Sequence, residues 1–135
     1  MSEFFRDHTT IGVGGPIGHY HPVTTAKKLH AVAREVFATG DAWMVLGGGS
    51  NLVVSDDGFP GHIIHIGTRG RKVEHSGEQV LLTVQAGEDW DDLVAFTVSQ
   101  GFQGLESLSG IPGRVGASVI QNIGAYGYEV ASVID

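Results

Sequence analysis

The chain has 135 residues, 41% of them hydrophobic, and a formal net charge of −7, which together suit a single globular domain with a usable core. The acidic balance, without a run of five basic residues, argues against nucleic-acid binding, and the absence of cysteine excludes disulfides and thiolate chemistry. No signal peptide begins the chain and no apolar run approaches the ~18 residues of a membrane span, so we expect a cytoplasmic protein that does not enter the membrane.

The N-terminal region combines a glycine-rich segment with two closely spaced histidines. Alternation followed by glycines over Thr9–Pro16 predicts a short strand that runs into a loop. His19 and His21 lie on one face if this piece is extended. Such a pair could contribute to a metal site, but no third ligand is near in the sequence. We therefore expect surface or packing histidines and no metal.

The first helix is predicted over Thr24–Thr39. Thr24 or Thr25 can cap its start and Gly40 can end it as a C′ glycine. Apolar residues recur at helical spacing and predict one buried face, formed by Leu29, Val32, Ala33, Val36 and Phe37.

A run of three glycines lies between two short apolar segments. Trp43–Leu46 and Leu52–Val54 are predicted as buried strands, so Gly47–Asn51 would join them as a strand–loop–strand. Consecutive glycines expose backbone N–H groups in a concave turn, which suits a pyrophosphate. A tight hairpin without a ligand explains these five residues equally well.

The next elements are three strands and a second helix. Strands are predicted at His62–Ile66, Arg71–His75 and Gln79–Gln85, and a helix at Asp89–Gln100. The apolar stripe of this helix consists of Trp90, Leu93, Val94 and Val98, with Phe96 beside it. The first turn carries Asp89, Asp91 and Asp92, which the helix dipole favours. A divalent metal site is the alternative interpretation of these carboxylates.

Gly104–Gly127 is rich in glycine, yet apolar residues are interleaved throughout. This pattern predicts an ordered loop packed close to something flat, since a flexible linker would be polar. Gln121 and Asn122 can offer amide donors and acceptors there. A buried connection whose glycines fit a crowded core is the alternative.

Five motifs in this order resemble the UDP-N-acetylenolpyruvoylglucosamine reductases, the MurB family of flavoproteins. The motifs are Thr10–Pro16, Leu46–Leu52, Gly104–Glu106, Ile111–Ala117 and Ile120–Gly127. The resemblance implies an α+β, two-lobed FAD-binding domain of the vanillyl-alcohol-oxidase (PCMH) type, truncated at its C-terminus. Residues 1–66 would be the first FAD-binding subdomain and residues 67–135 an incomplete second one, with FAD in the cleft between them.

The resemblance also implies a role for each motif. Gly47–Asn51 would cradle the FAD pyrophosphate, and Ser109–Gly113 would line the other side of the diphosphate and ribityl chain. Along the isoalloxazine would lie Ala117, Ser118 and Ile120–Tyr126. The cofactor-binding residues predicted in this way are Leu46, Gly47, Gly48, Gly49, Ser50, Asn51, Leu52, Ser109, Gly110, Ile111, Pro112, Gly113, Val115, Gly116, Ala117, Ser118, Ile120, Gln121, Asn122, Gly124, Ala125 and Tyr126.

In this family NADPH reduces FAD, and the reduced flavin delivers hydride to the enolpyruvyl double bond of a UDP-sugar, giving UDP-N-acetylmuramate for peptidoglycan. The resemblance thus implies a flavin-dependent oxidoreductase. We expect non-covalent FAD, because the chain has no cysteine and Ser50 stands roughly where some members of the fold superfamily attach flavin through a histidine.

Family members are longer than this chain, and their substrate domain and catalytic arginine, serine and acidic residue follow the last motif. We therefore expect no catalytic residue, no UDP-sugar binding and no turnover from this chain alone. Arg114 occupies a variable place in its motif and is not the catalytic arginine. Two alternatives stay open: a flavin-binding module or remnant without catalysis, and another sugar or alcohol oxidase of the same FAD fold.

Overall fold

The computed structural model describes residues 2–135, so Met1 lies outside the described part of the chain. Two compact units divide the chain, Met1–Thr68 and Arg69–Asp135. The first unit therefore ends two residues beyond the predicted boundary at Ile66. The assignment of the two units to FAD-binding subdomains stays a prediction.

The first unit is built on a parallel three-stranded sheet with the strand order β1–β3–β2. Its strands are β1 (Ile17–Val23), β2 (Trp43–Leu46) and β3 (Phe59–Ile66). The helix α1 (Ala26–Thr39) connects β1 to β2. Thr25 Oγ1 accepts a hydrogen bond from the Lys28 N–H at the start of α1, and Gly40 ends the helix with a φ of 75°. Both caps are those that the sequence predicts.

Apolar side chains cover both faces of this sheet. On one face the cluster contains Phe5, Ile17, Leu46 and Ile63. On the other face, α1 packs its buried stripe against the sheet in a cluster of Val23, Val32, Val36 and Ile64. Phe37 is 56% exposed, so its predicted place on the buried face is wrong. Its ring instead contacts the half-exposed Trp43 at a centroid distance of 4.8 Å, because β2 is an edge strand.

Two of the predicted strands do not form. Residues 9–15 are turn and irregular backbone, in which Gly12 and Gly14 adopt φ values of 71° and 121° that break a strand. Leu52–Val54 has no strand partner among the residues that the structure describes, so the strand–loop–strand prediction is wrong. Leu52 and Val54 pack inward while Val53 is 74% exposed, so the apolar pattern is satisfied by packing alone.

The histidines of β1 lie where the extended backbone predicts them. His19 and His21 share a sheet face, and both rings stack on His62 of β3, with centroid distances of 4.5 and 5.2 Å. His21 Nε2 and His62 Nδ1 are 3.0 Å apart, at hydrogen-bonding distance. These histidines are packing residues. Within residues 2–135 no group of three His, Asp or Glu side chains could hold a metal ion.

The second unit begins with an antiparallel hairpin and continues with two helices. The hairpin pairs β4 (Arg71–Ser76) with β5 (Gln79–Val84), and α2 (Trp90–Ser99) follows it. After α2 come α3 (Val115–Ile120) and a small hairpin of β6 (Gly124–Ala125) and β7 (Tyr128–Glu129). The core of this unit consists of Trp90, Leu93, Val94, Leu108 and Val130.

Two predictions for the second unit are corrected. Val98 is 54% exposed, and Thr97 takes its place on the buried face, because the Thr97 hydroxyl donates to the Val94 carbonyl and so enters the core without an unpaired polar group. Gly104–Gly127 is not a single loop, since it contains α3 and β6. None of the helices that the described residues form is long and apolar enough to cross a membrane.

Candidate functional site

The glycine-rich loop Gly47–Asn51 follows β2 at the edge of the parallel sheet where the carboxyl ends of its strands meet. In open α/β sheets this edge is where ligands bind, because loops that leave parallel strands converge there. The sequence therefore places bare backbone at the position in the first unit where a ligand would be expected.

The N–H groups of this loop are available to a ligand. Among residues 2–135, the backbone N–H groups of Gly48, Gly49 and Ser50 find no hydrogen-bond acceptor. Successive free N–H groups in a turn form a concave site with positive potential, which favours an anionic oxygen. A pyrophosphate fits this donor set, whereas a cation does not.

Gly49 fixes the loop against the N-terminal segment. The Thr10 N–H donates to the Gly49 carbonyl at 3.1 Å, and Gly49 adopts a φ of 64°. A Cβ atom at position 49 would collide with the backbone carbonyl of His8. Gly49 is therefore required by the approach of another backbone segment as well as by its own conformation. His8 and Thr10 were not predicted as supports of the loop, although Thr10 begins one of the resembling motifs.

The second glycine-rich stretch is held by the first turn of α2. The Trp90 N–H donates to the Gly113 carbonyl at 3.1 Å, and its indole Nε1–H donates to the Leu108 carbonyl at 2.9 Å. Asp91 Oδ1 accepts from the Gly110 N–H at 2.6 Å and from the Ser109 hydroxyl at 3.1 Å. Two residues of α2 thus hold the loop Ser109–Gly113: the buried Trp90 at its two ends and Asp91 at Ser109 and Gly110.

The acidic residues at the start of α2 have separate structural tasks. Asp89 Oδ1 caps the helix by accepting the N–H groups of Asp91 and Asp92, as the helix-terminus interpretation predicts. Asp89 Oδ2 also lies 3.4 Å from Arg114 Nη1. Asp89 is thus a capping group that also approaches Arg114, and Asp91 holds the Ser109–Gly113 loop.

Glu88 connects the residues just before β4 to the start of α3. Its carboxylate accepts the Gly70 N–H at 2.7 Å, and this hydrogen bond is the main reason why the pKa of Glu88 is lowered. Arg69, 3.2 Å away, lowers that pKa further. The Glu88 carbonyl accepts from the Val115 N–H at 2.9 Å, at the start of α3.

The segment predicted to follow the isoalloxazine contains both buried and exposed residues. Ser118 is buried and its hydroxyl donates to the Val115 carbonyl at 2.7 Å. Gly116 packs closely on Ala86, whose Cβ would lie 2.7 Å from an added Cβ. Ile120 and Tyr126 are 88% and 91% exposed, which leaves large apolar surfaces open to a planar ligand or another packing partner.

Asn122 is engaged within its own unit. Its side-chain Nδ2–H donates to Glu129 Oε2 at 2.8 Å, and its Oδ1 accepts the Ala131 N–H at 3.1 Å. Its φ of 45° is in the left-handed region that asparagine tolerates. The Asn122 amide thus fixes the hairpin, while the neighbouring Gln121 side chain is exposed. The predicted residues Leu46–Leu52 lie in the first unit, and all the others lie in the second.

The comparisons with known proteins agree on one family. A family model described as "FAD binding domain" matches residues 20–135. A UDP-N-acetylenolpyruvoylglucosamine reductase of Saccharopolyspora erythraea is 50% identical over 128 residues, which cover 94% of this chain and 35% of that protein. The enzyme of the same name from Leifsonia xyli subsp. xyli is 50% identical over 127 residues, covering 93% of this chain and 34% of that protein.

A solved structure is similar as well. The crystal structure of UDP-N-acetylenolpyruvylglucosamine reductase (MurB) from Thermus caldophilus superimposes with a TM-score of 0.73 at 34% identity, covering 97% of this chain and 45% of that chain. The present chain spans about a third of the length of the two curated relatives. The resemblance inferred from the five motifs is confirmed, and so is the α+β FAD-binding fold.

Proposed function

Since this chain belongs to the FAD binding domain family, we propose that it is the FAD-binding part of a UDP-N-acetylenolpyruvoylglucosamine reductase. The observation that carries the proposal is the glycine loop, whose free N–H groups at Gly48, Gly49 and Ser50 lie at the carboxyl edge of the parallel sheet. These N–H groups would hold the FAD pyrophosphate.

The second unit would hold the remainder of the cofactor. The Ser109–Gly113 loop would pass along the diphosphate and ribityl chain, held in place by Trp90 and Asp91. The exposed Ile120 and Tyr126 would cover part of the flavin ring, because burying large apolar side chains against an aromatic ring removes both surfaces from water. Bound FAD would supply the hydride transfer, and this chain would bind and orient it.

The activity of the longer relatives extends this proposal. Their printed name is that of a reductase acting on UDP-N-acetylenolpyruvoylglucosamine. We propose the same UDP-sugar as the substrate of the protein to which this domain contributes, with NADPH as reductant, peptidoglycan synthesis as the process and the cytoplasm as the location. The name shared by relatives that are about half identical in sequence supports the UDP-sugar as substrate, and the family resemblance supports the reductant, the process and the location.

Titration of the full 135-residue chain with FAD tests the proposal. We expect flavin fluorescence to be quenched and the visible absorption band to sharpen on binding. Gly48→Asp should weaken binding by about 2 kcal/mol or more, because it places a carboxylate against the pyrophosphate. Gly77→Asp is the control, because Gly77 lies in the β4–β5 turn with open space around it. Equal FAD affinity of the two variants would remove the glycine loop from the site.

A further inference from the structure

We propose that Asp91 is a positioning residue for FAD, which sets the shape of the Ser109–Gly113 loop by occupying two of its hydrogen-bond donors. The inference rests on the proposed function, since it concerns a loop that would line the cofactor. Asp91 does not contact the cofactor in this proposal.

The contact is specific to one of the two acidic side chains in the first turn of α2. Asp91 Oδ1 accepts the Gly110 N–H at 2.6 Å and the Ser109 hydroxyl at 3.1 Å. A carboxylate that accepts two donors forms stronger hydrogen bonds than a neutral acceptor. Asp92 is exposed in the same turn, and its side chain makes no hydrogen bond with the loop in the part of the chain that the structure describes.

The loop depends on this carboxylate for its conformation. Gly110 adopts a φ of 78°, which residues with a Cβ rarely adopt, and its N–H donates to Asp91 Oδ1 in this conformation. On either side of Gly110, Trp90 donates hydrogen bonds to the carbonyl groups of Leu108 and Gly113. Asp91 therefore contacts the part of the loop that lies between these two fixed points.

The same contact determines which groups of the loop can reach an anion. Because Asp91 occupies the Gly110 N–H and the Ser109 hydroxyl, a phosphate oxygen cannot use these donors without displacing a carboxylate of like charge. Ser109 and Gly110 would therefore act through the position of the loop and would not donate to the pyrophosphate. This refines the direct role for Ser109 and Gly110 that the family resemblance implies.

Three variants of the full chain test the role of Asp91. Asp91→Ala removes both hydrogen bonds and should weaken FAD binding about tenfold. Asp91→Asn keeps an oxygen at the same position and should stay within about threefold of wild type. Asp92→Ala removes an equal charge from the same helical turn and should leave the affinity unchanged. Each affinity is measured by flavin fluorescence at a temperature at which circular dichroism shows that the variant is folded.

Retention of FAD affinity in Asp91→Asn would show that the oxygen acceptor matters and the negative charge does not. The unchanged affinity of Asp92→Ala would exclude a general effect of altering this helical turn. Hydrogen exchange at the Gly110 amide, measured without FAD, should become faster in Asp91→Ala than in Asp92→Ala. Equal FAD affinities of Asp91→Ala and Asp92→Ala would overturn the inference while leaving the proposed function intact. Failure of the wild-type chain to bind FAD would overturn the proposed function, and the inference with it.

Discussion

Replacing Gly49 with alanine is the most direct test of how the glycine loop is held. Gly49 adopts a φ of 64°, and an added Cβ would run into the His8 carbonyl. The backbone at both residues must move to accept it, so the Thr10–Gly49 hydrogen bond of 3.1 Å is also lost.

The magnitude follows from these two effects. A left-handed conformation costs a residue with a Cβ about 1–2 kcal/mol. The lost backbone hydrogen bond adds about 1 kcal/mol. Gly49→Ala should therefore lower the free energy of unfolding by about 2–3 kcal/mol, with any cost of moving the backbone in addition. FAD binding should weaken as well, because the N–H groups of Gly48 and Ser50 move with the loop.

Gly40→Ala is the matched control in the same unit. Gly40 adopts a φ of 75° at the end of α1, and a Cβ there meets no atom within 4 Å. This variant carries the conformational cost without the collision, so it should lose only that cost of about 1–2 kcal/mol and keep its FAD affinity. Urea unfolding followed by circular dichroism gives the stabilities, and flavin fluorescence gives the affinities. If Gly49→Ala is no less stable than Gly40→Ala and binds FAD equally well, the reasoning about the His8 contact is refuted.

Three further outcomes are expected. The pKa of His21 is lowered, first by burial and then by the neighbouring His62 and His19, so the unfolded chain binds the proton more readily. The free energy of unfolding should then fall as the pH drops through 6.5, the ordinary pKa of histidine. In His21→Gln, the urea midpoint of unfolding should depend less on pH below that value. Trp90→Phe leaves the Leu108 carbonyl without its indole donor and should cost about 1–3 kcal/mol in urea unfolding. Acid precipitation of the FAD-loaded chain should release the flavin into the supernatant; flavin fluorescence in the pellet would contradict non-covalent binding.

Elements with a strong local signal could be predicted from the sequence. Thr25 and Gly40 bound α1 as expected, because a capping hydroxyl and a left-handed glycine act within one turn of their position. The helix α3 was not predicted because it lacks such a local signal. It has only 6 residues, and Arg114 before its first turn makes no side-chain capping hydrogen bond. Its start is set instead by hydrogen bonds from Val115 and Gly116 to residues far back in the chain.

The candidate site was predictable in one respect and unpredictable in another. The glycines of the first loop predict accessible N–H groups, because glycine has no Cβ that would keep a ligand away from the backbone. The support of that loop by His8 and Thr10 could not be read from residue types, since both contacts involve only backbone atoms. Leu52–Val54 was misjudged as a strand because its alternation reports burial of every second residue and does not report a hydrogen-bonded partner.

The N-terminal segment has a consequence for where this fold can be cut. Residues 3–16 contain no strand and only a short 3-10 helix, Phe5–Asp7, so a secondary-structure criterion would treat them as a removable tail. Yet Phe5 is fully buried, its N–H donates to the Gly15 carbonyl at 2.9 Å, and the Ile17 N–H donates to the Glu3 carbonyl at 2.9 Å. A chain trimmed to begin at β1 would open the core and free the glycine loop together, so the smallest folding unit includes this segment.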